Sequence, residues 1–199
     1  MRNHNETIII LLKRNYKQNG GYNMAVRLPV TTIAGHVSRA ISFFELSSVY
    51  FGLGRTSPWE GETEPDFSAP LPSVEAKNLD ELIGMKRVDV KSLVVPDDEG
   101  TVVYRDQTWR KISAQEAIEL GAHWVYIEAS ILYDELPATA YRQIGVFSRV
   151  SLKEGVSATK SILLPDDISN VGILEVLDQR KVVTRNEDSR DTFSMIIEF

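Results

Sequence analysis

The chain reads as a β-rich α+β domain, an antiparallel sheet or sandwich core with two or three short helices, and three observations predict it. Ala122–Leu132 puts Val125, Ile127, Ala129 and Ile131 on one parity and Trp124, Tyr126, Glu128 and Ser130 on the other. That is the alternation of a strand with one apolar face. Tyr141–Val150 repeats it, with Ile144, Val146 and Val150 on one parity and Tyr141, Gln143, Phe147 and Arg149 on the other. Joined through Asp134-Glu135-Leu136-Pro137, the two are expected to form an antiparallel pair whose apolar face other segments must cover. Third, Phe193, Met195, Ile197 and Phe199 alternate with Thr192, Ser194, Ile196 and Glu198. This last strand is expected to be tied into the sheet.

The remaining elements follow in order. Residues 1–23 carry four basic side chains and one acidic, with an Asn-rich texture and a Gly20-Gly21 break. They read as a flexible leader, or as a stretch upstream of a true start at Met24, because Asn19–Asn23 can be encoded by a ribosome-binding sequence. Residues 24–199 read as a single β-rich domain. Thr31-Thr32 offers a helix cap, and Val37, Ala40, Ile41 and Phe44 recur at helical spacing over Ile33–Leu46. Ser48–Gly52 is a short apolar strand. Residues 60–73 are acidic and contain Pro65, Pro70 and Pro72, which predicts an extended loop. Asn78–Ile83 is expected as a short helix stopped by Gly84, and Lys86–Val95 as one strand closed by the turn cluster Pro96–Gly100. Thr101–Tyr104 and Thr108–Ile112 flank a hairpin turn. Ser113-Ala114-Gln115-Glu116 is a capping box, with Gly121 as the stop. Lys160–Leu164 and Gly172–Val183 complete the strands. The acidic run Glu187–Asp191 is expected as a solvated turn.

Composition excludes several functions. At 199 residues the chain can bury a genuine core, and 43% hydrophobic with 25% charged is ordinary for a globular protein. A formal charge of -6 argues against non-specific binding to nucleic acid or to an anionic membrane surface. The absence of cysteine rules out disulfides and thiolate metal sites and fits folding inside a cell. The longest purely apolar run, Ile8–Leu12, is too short to span a bilayer.

Catalytic patterns are equally thin. The three histidines, His4, His36 and His123, have no ligand spacing between them. Asp97-Asp98-Glu99-Gly100 and Asp166-Asp167 lack the alternating donors of a calcium loop and read as turns. Gly52-Leu53-Gly54-Arg55-Thr56 resembles a phosphate loop only loosely, since Pro58 follows and no helix opens there. Its glycines are expected to bend the chain and return Trp59 to the domain. No catalytic residue, metal or cofactor is expected. Aromatic side chains are more numerous than one core face requires, with Trp124, Tyr126, Tyr141 and Phe147 on the second face of the central strands. Such a face carries another layer or meets a partner.

Three segments resemble a known family. Tyr50-Phe51-Gly52-Leu53-Gly54-Arg55-Thr56-Ser57-Pro58-Trp59 is similar to the F-x-G-R-(S/T)-x-P-W segment of the baseplate wedge proteins of contractile-tailed bacteriophages. Tyr141-Arg142-Gln143-Ile144-Gly145-Val146-Phe147 resembles that family's F/Y-R-Q-I strand. Gly172–Phe199 resembles its closing pattern of a strand, a basic-polar segment and an alternating strand ending in Phe. The matches fall in family order and span three quarters of the chain. The chain is shorter than the best-known members and lacks their long insertion between the central strands, so contacts made by that insertion do not carry over.

The resemblance implies a non-enzymatic structural subunit of the tail baseplate. It would be assembled in the host cytoplasm as a homodimer or multi-copy component, clamped to other baseplate wedge and tail proteins. Arg55, Pro58, Trp59, Trp124, Tyr126, Arg142 and Phe147 are the candidate contact residues, with the loop 60–73 buried against neighbours. Internal packing is the competing reading for each of them. A carbohydrate- or receptor-binding β-module of the tail is the alternative function. A hydrolase using Asp97 and Asp166 requires those carboxylates to converge.

Overall fold

The computed structural model describes residues 30–186, 188 and 190–199. The leader expected at 1–23 lies outside the described residues, as do Glu187 and Ser189 of the acidic run. Thr31–Phe199 make up one compact unit.

Helix α1 (Ile33–Glu45) starts where Thr32 caps it, the hydroxyl accepting from the Gly35 N–H at 3.3 Å. Val37, Ala40 and Phe43 form its buried stripe. The second helix is capped by the expected box: Ser113 and Glu116 bond reciprocally, and α2 (Ala114–Leu120) ends at Gly121 with φ 67°. A third helix does not form at Asn78–Ile83. Backbone groups there bond to the neighbouring strand instead, Arg55 N–H to Asp80 C=O at 2.6 Å and Ile83 N–H to Leu53 C=O at 2.9 Å. Among the described residues there is, besides the two α-helices, a single 3-10 turn, Pro165–Asp167.

The strands are β1 (Val49–Gly54), β2 (Gly84–Arg87), β3 (Val90–Pro96), β4 (Val102–Tyr104), β5 (Gln107–Ile112), β6 (Trp124–Ile131) and β7 (Ala140–Ser148), followed by β8 (Ser151–Leu152), β9 (Ile162–Leu163), β10 (Ile168–Asn170), β11 (Ile173–Thr184) and β12 (Asp191–Glu198). They build two five-stranded sheets, ordered β11-β7-β1-β2-β9 and β12-β6-β3-β5-β4, and a small β10-β8 pair. Every pairing among the described residues is antiparallel. In the second sheet β4 curls back alongside β12.

Two expectations about pairing are corrected. The alternating strands β6 and β7 do not pair with each other; they belong to opposite sheets. Their apolar faces meet across a shared core, where Val125, Ile127, Ala129 and Ile131 face Ile144 and Val146, with α1 and α2 contributing Val37, Ala40, Phe43 and Ala117. Likewise Lys86–Val95 is two strands. At Val88-Asp89 the chain crosses from one sheet to the other, Val88 N–H bonding Val49 C=O and Asp89 N–H bonding Glu128 C=O.

Both sheets have a second apolar cluster on the face turned away from that core. Phe147 packs with Tyr50, Leu79, Met85, Leu163 and Ile168 on one, and Trp109 and Tyr126 pack with Val94 and Val102 on the other. Of the surplus aromatic side chains, Phe147 and Tyr126 fill these outer layers, which loops and the curled sheet edge build rather than helices. Tyr141, expected on the second face, instead joins the shared core beside Ile144 and Val146, and Trp124 stays partly exposed. β7 is buried along nearly its whole length because layers cover both of its faces.

A candidate assembly interface

Both glycines of β1 have a packing reason: at Gly54 a Cβ would lie 2.7 Å from the Asp80 carbonyl oxygen. Gly52 stands opposite Gly145 of β7. A Cβ on either would lie 2.8 Å from Cε2 of Phe147, and Leu79 closes the same space. The glycines let the Phe147 ring lie flat across the sheet. They do not bend the chain, as the sequence suggested. The bend is at Arg55, a non-glycine residue at φ 56°, a conformation adopted only when the surroundings hold it.

What holds it is a clasp between two stretches far apart in sequence. The Arg55 guanidinium donates to Asp80 Oδ2 at 2.9 Å and to Pro58 C=O at 3.3 Å. It also lies 3.7 Å over the Trp59 ring, a cation–π contact. Beside it, Glu81, itself at φ 47°, takes four hydrogen bonds. Thr56 N–H and Ser57 N–H donate at 3.0 Å each, the Ser57 hydroxyl at 2.5 Å, and the Thr56 hydroxyl completes the set. The Ser57 hydroxyl, then the Thr56 hydroxyl and the Ser57 N–H, bring the Glu81 carboxyl down to about 2, because each bond favours the charged form.

β7 supplies the floor. Arg142 Nε donates to both Glu62 oxygens, at 2.9 and 2.8 Å, and its terminal nitrogen donates to the Thr56 carbonyl. The side chains of this pair are only 8% and 11% exposed. Burial pushes the Glu62 carboxyl up, but hydrogen bonds from Arg142 and from the Trp59 and Val182 N–H groups outweigh it and hold the group below its usual range. Gln143 accepts from Asp80 N–H at 2.8 Å. Trp59 Nε1–H donates to Arg180 C=O of β11 at 2.9 Å, so the loop also occupies polar groups along that edge strand.

The clasp closes a long loop of residues 58–79 by tying its two ends together. Successive turns at Trp59–Glu62, Gly61–Glu64, Glu64–Phe67 and Ser73–Ala76 carry it over the surface. Past the clasp, most of its side chains face solvent.

Of the seven candidate contact residues, four meet in this clasp: Arg55, Pro58, Trp59 and Arg142. Pro58 is exposed and Arg55 half-buried, whereas Trp59 and Arg142 are buried within the chain. Phe147 is fully buried beneath the glycine pair, and Tyr126 is buried in the second sheet's outer cluster. There burial first, and then the Glu128 carboxylate that accepts from its hydroxyl, raise the Tyr126 phenol to about 12. Trp124 is partly exposed, stacked on His123 at 4.0 Å and edge-on to Trp109 at 6.0 Å. The residues missed in the sequence are Glu62, Asp80, Glu81 and Gln143. Their one available signal was Arg142-Gln143, two polar side chains inside a strand that is otherwise apolar.

Other features bear on function. Asp97 is tied to Arg110 at 2.9 Å in the β3–β4 turn of the second sheet, and Asp166 sits in the 3-10 turn between β9 and β10. Among the described residues no group of three or more His, Cys, Asp or Glu side chains is placed to hold a metal ion. No helix among them is long and apolar enough to cross a membrane. A groove of about 630 Å³ lies between α1 and α2, walled by Ile33, Ile41, Ile118 and Leu120.

The described residues form a β-rich sandwich of two sheets carrying a clasped surface loop. Sequence comparison gives the class: residues 28–199 match the model of the family described as baseplate wedge 3 tail fiber network component, and the chain belongs to that family. Among relatives, it is 32% identical over 166 residues to "Virion protein 3" of Enterococcus phage phiEF24C, an alignment covering 78% of this chain and 88% of the relative. The role is a structural one in the phage tail.

Proposed function

We propose that this chain is a non-enzymatic wedge subunit of the tail baseplate, present as a homodimer or in several copies, which joins other wedge and tail proteins through surface area and shape. The observation that carries this reading is the clasp. Several charged and hydrogen-bonding side chains are committed to holding one exposed loop in place, while the family relationship sets the tail as its context. Arg55, Pro58 and Trp124 are the candidate residues within reach of a neighbour; Trp59, Arg142, Tyr126 and Phe147 act beneath them by setting the surface. Nucleic acid and membrane are not partners in this proposal, given the net charge of -6. The test is mass spectrometry and a density map of purified virions. A fixed copy number per tail with the chain at the baseplate supports the proposal, and its absence from virions overturns it.

A second reading has its own observation. A groove of about 480 Å³ is lined by Tyr104, Gln107, Trp109, Trp124 and Glu198, and the buried Trp109 indole N–H has no hydrogen-bond partner among the described residues. In this reading the aromatic rings would stack on a sugar or receptor while the amide and carboxylate groups hydrogen-bond it. Saturable binding of the isolated chain on a glycan array, lost in Trp124→Ala, supports this reading over the first.

A further inference from the structure

The loop closed by the clasp has a tip with an unusual chemistry. Leu71 and Val74 are 92% and 99% exposed, more than any other large apolar side chain among the described residues. Leu71 stands between Pro70 and Pro72, which restrict Ala69 and Leu71 to extended backbone. A displayed side chain on a stiffened, end-anchored loop loses little entropy on binding.

Its charge is one-sided. Between Pro58 and Leu79 the acids are Glu60, Glu62, Glu64, Asp66 and Glu75, and the single base is Lys77. Glu62 is taken up by Arg142; the other four carboxylates are on exposed residues. A surface of this sign repels the same loop on a second copy, and the whole chain has the same sign at -6. The complement is an apolar pocket with a basic rim.

We propose that residues 64–75 are a docking element that seats Leu71 and Val74 in an apolar pocket, rimmed by Lys and Arg, on a different tail protein. The proposal rests on the reading of the chain as a tail subunit. Packing inside the partner removes the two side chains from water, and the carboxylates of Glu64, Asp66 and Glu75 orient the approach.

The test uses full-length chain assembled into virions with the photoreactive substitution Leu71→p-benzoylphenylalanine. Irradiation is followed by mass spectrometry of cross-linked peptides. The expected product joins position 71 to a different virion protein, at a site with Lys or Arg beside apolar residues. Adding Glu64→Lys, Asp66→Lys and Glu75→Lys lowers its yield about tenfold or more, whereas the same reagent at Ile118 is unaffected by the charge reversals. Unchanged thermal melting shows that the variants fold. Cross-links confined to this chain or to a second copy overturn the docking proposal, as does a normal yield after charge reversal. So does a lack of any product from virions that contain the chain. If the chain is absent from virions altogether, the tail-subunit reading fails instead, so the two failures are separable.

Discussion

Arg142, near the start of β7, holds Glu62, 80 residues earlier, with its Nε donating to both carboxylate oxygens at 2.9 and 2.8 Å. The same guanidinium bonds the Thr56 carbonyl, so one buried cation fixes both the start of the clasp and the first turn of the loop. Removing it takes the counter-charge from a carboxylate left with backbone N–H donors, and the guanidinium donor from the Thr56 carbonyl, in a poorly hydrated place.

Arg142→Met is therefore expected to lower the melting temperature by about 5 °C or more. Arg142→Lys is expected to recover little of that, because a single ammonium cannot serve Glu62 and Thr56 in two directions. Thermal melts of the three proteins check it. Equal melting of Arg142→Lys and wild type would show that charge alone suffices.

Trp59 is 8% exposed, lies under the Arg55 guanidinium and donates to Arg180. Trp59→Ala leaves a cavity and is expected to cost about 3 kcal/mol in the isolated chain. Urea unfolding measures this, and an unchanged midpoint would mean that the ring matters only to a partner.

The glycine pair gives a coupled test. Gly52→Ala places a methyl group 2.8 Å from Phe147, whose ring is fully buried, and is expected to cost about 1–3 kcal/mol. Phe147→Leu opens the same space, so the double variant should be more stable than the sum of the two losses predicts, by at least about 0.5 kcal/mol. Additive losses would show that the two positions do not share that space.

Glu81 sets a pH dependence. Its folded-state value of about 2 lies below the ordinary 4.5, so its contribution is fully present above the unfolded value and is lost as pH falls through that window. The difference in melting temperature between wild type and Glu81→Gln is expected to be constant from pH 7 to about 5 and to shrink between about 4.5 and 2. A difference that stays constant down to pH 2 would show that the carboxylate's charge is not what the Ser57 and Thr56 donors read.

The candidate site was half legible. Arg55, Pro58, Trp59 and Arg142 stood out in the sequence, and the structure brings them together. Glu62, Asp80 and Glu81 did not, because an acid in a polar loop looks the same whether it is solvated or takes four hydrogen bonds. For Phe147 and Tyr126 the sequence left internal packing and partner contact both open, because the segments they pack with are distant in sequence, Leu79 for Phe147 and the β4–β5 hairpin for Tyr126.

By itself the sequence determined the inward faces of β6 and β12, where α1 and α2 begin, and that Ser113 and Glu116 cap the second helix, while on β7 it set Tyr141 and Val150 on the wrong faces. Those properties depend on neighbours a few positions away, and alternation or a capping pattern states them directly. Only the tertiary structure decided which strand lies beside which. It set β6 and β7 in opposite sheets, divided Lys86–Val95 between the sheets, and turned Asn78–Ile83 from a helix into half of a clasp. Alternation specifies a strand's faces and leaves its edges open, and the hydrogen bonds that claim those edges are long-range, chosen by whichever arrangement buries all of the faces at once.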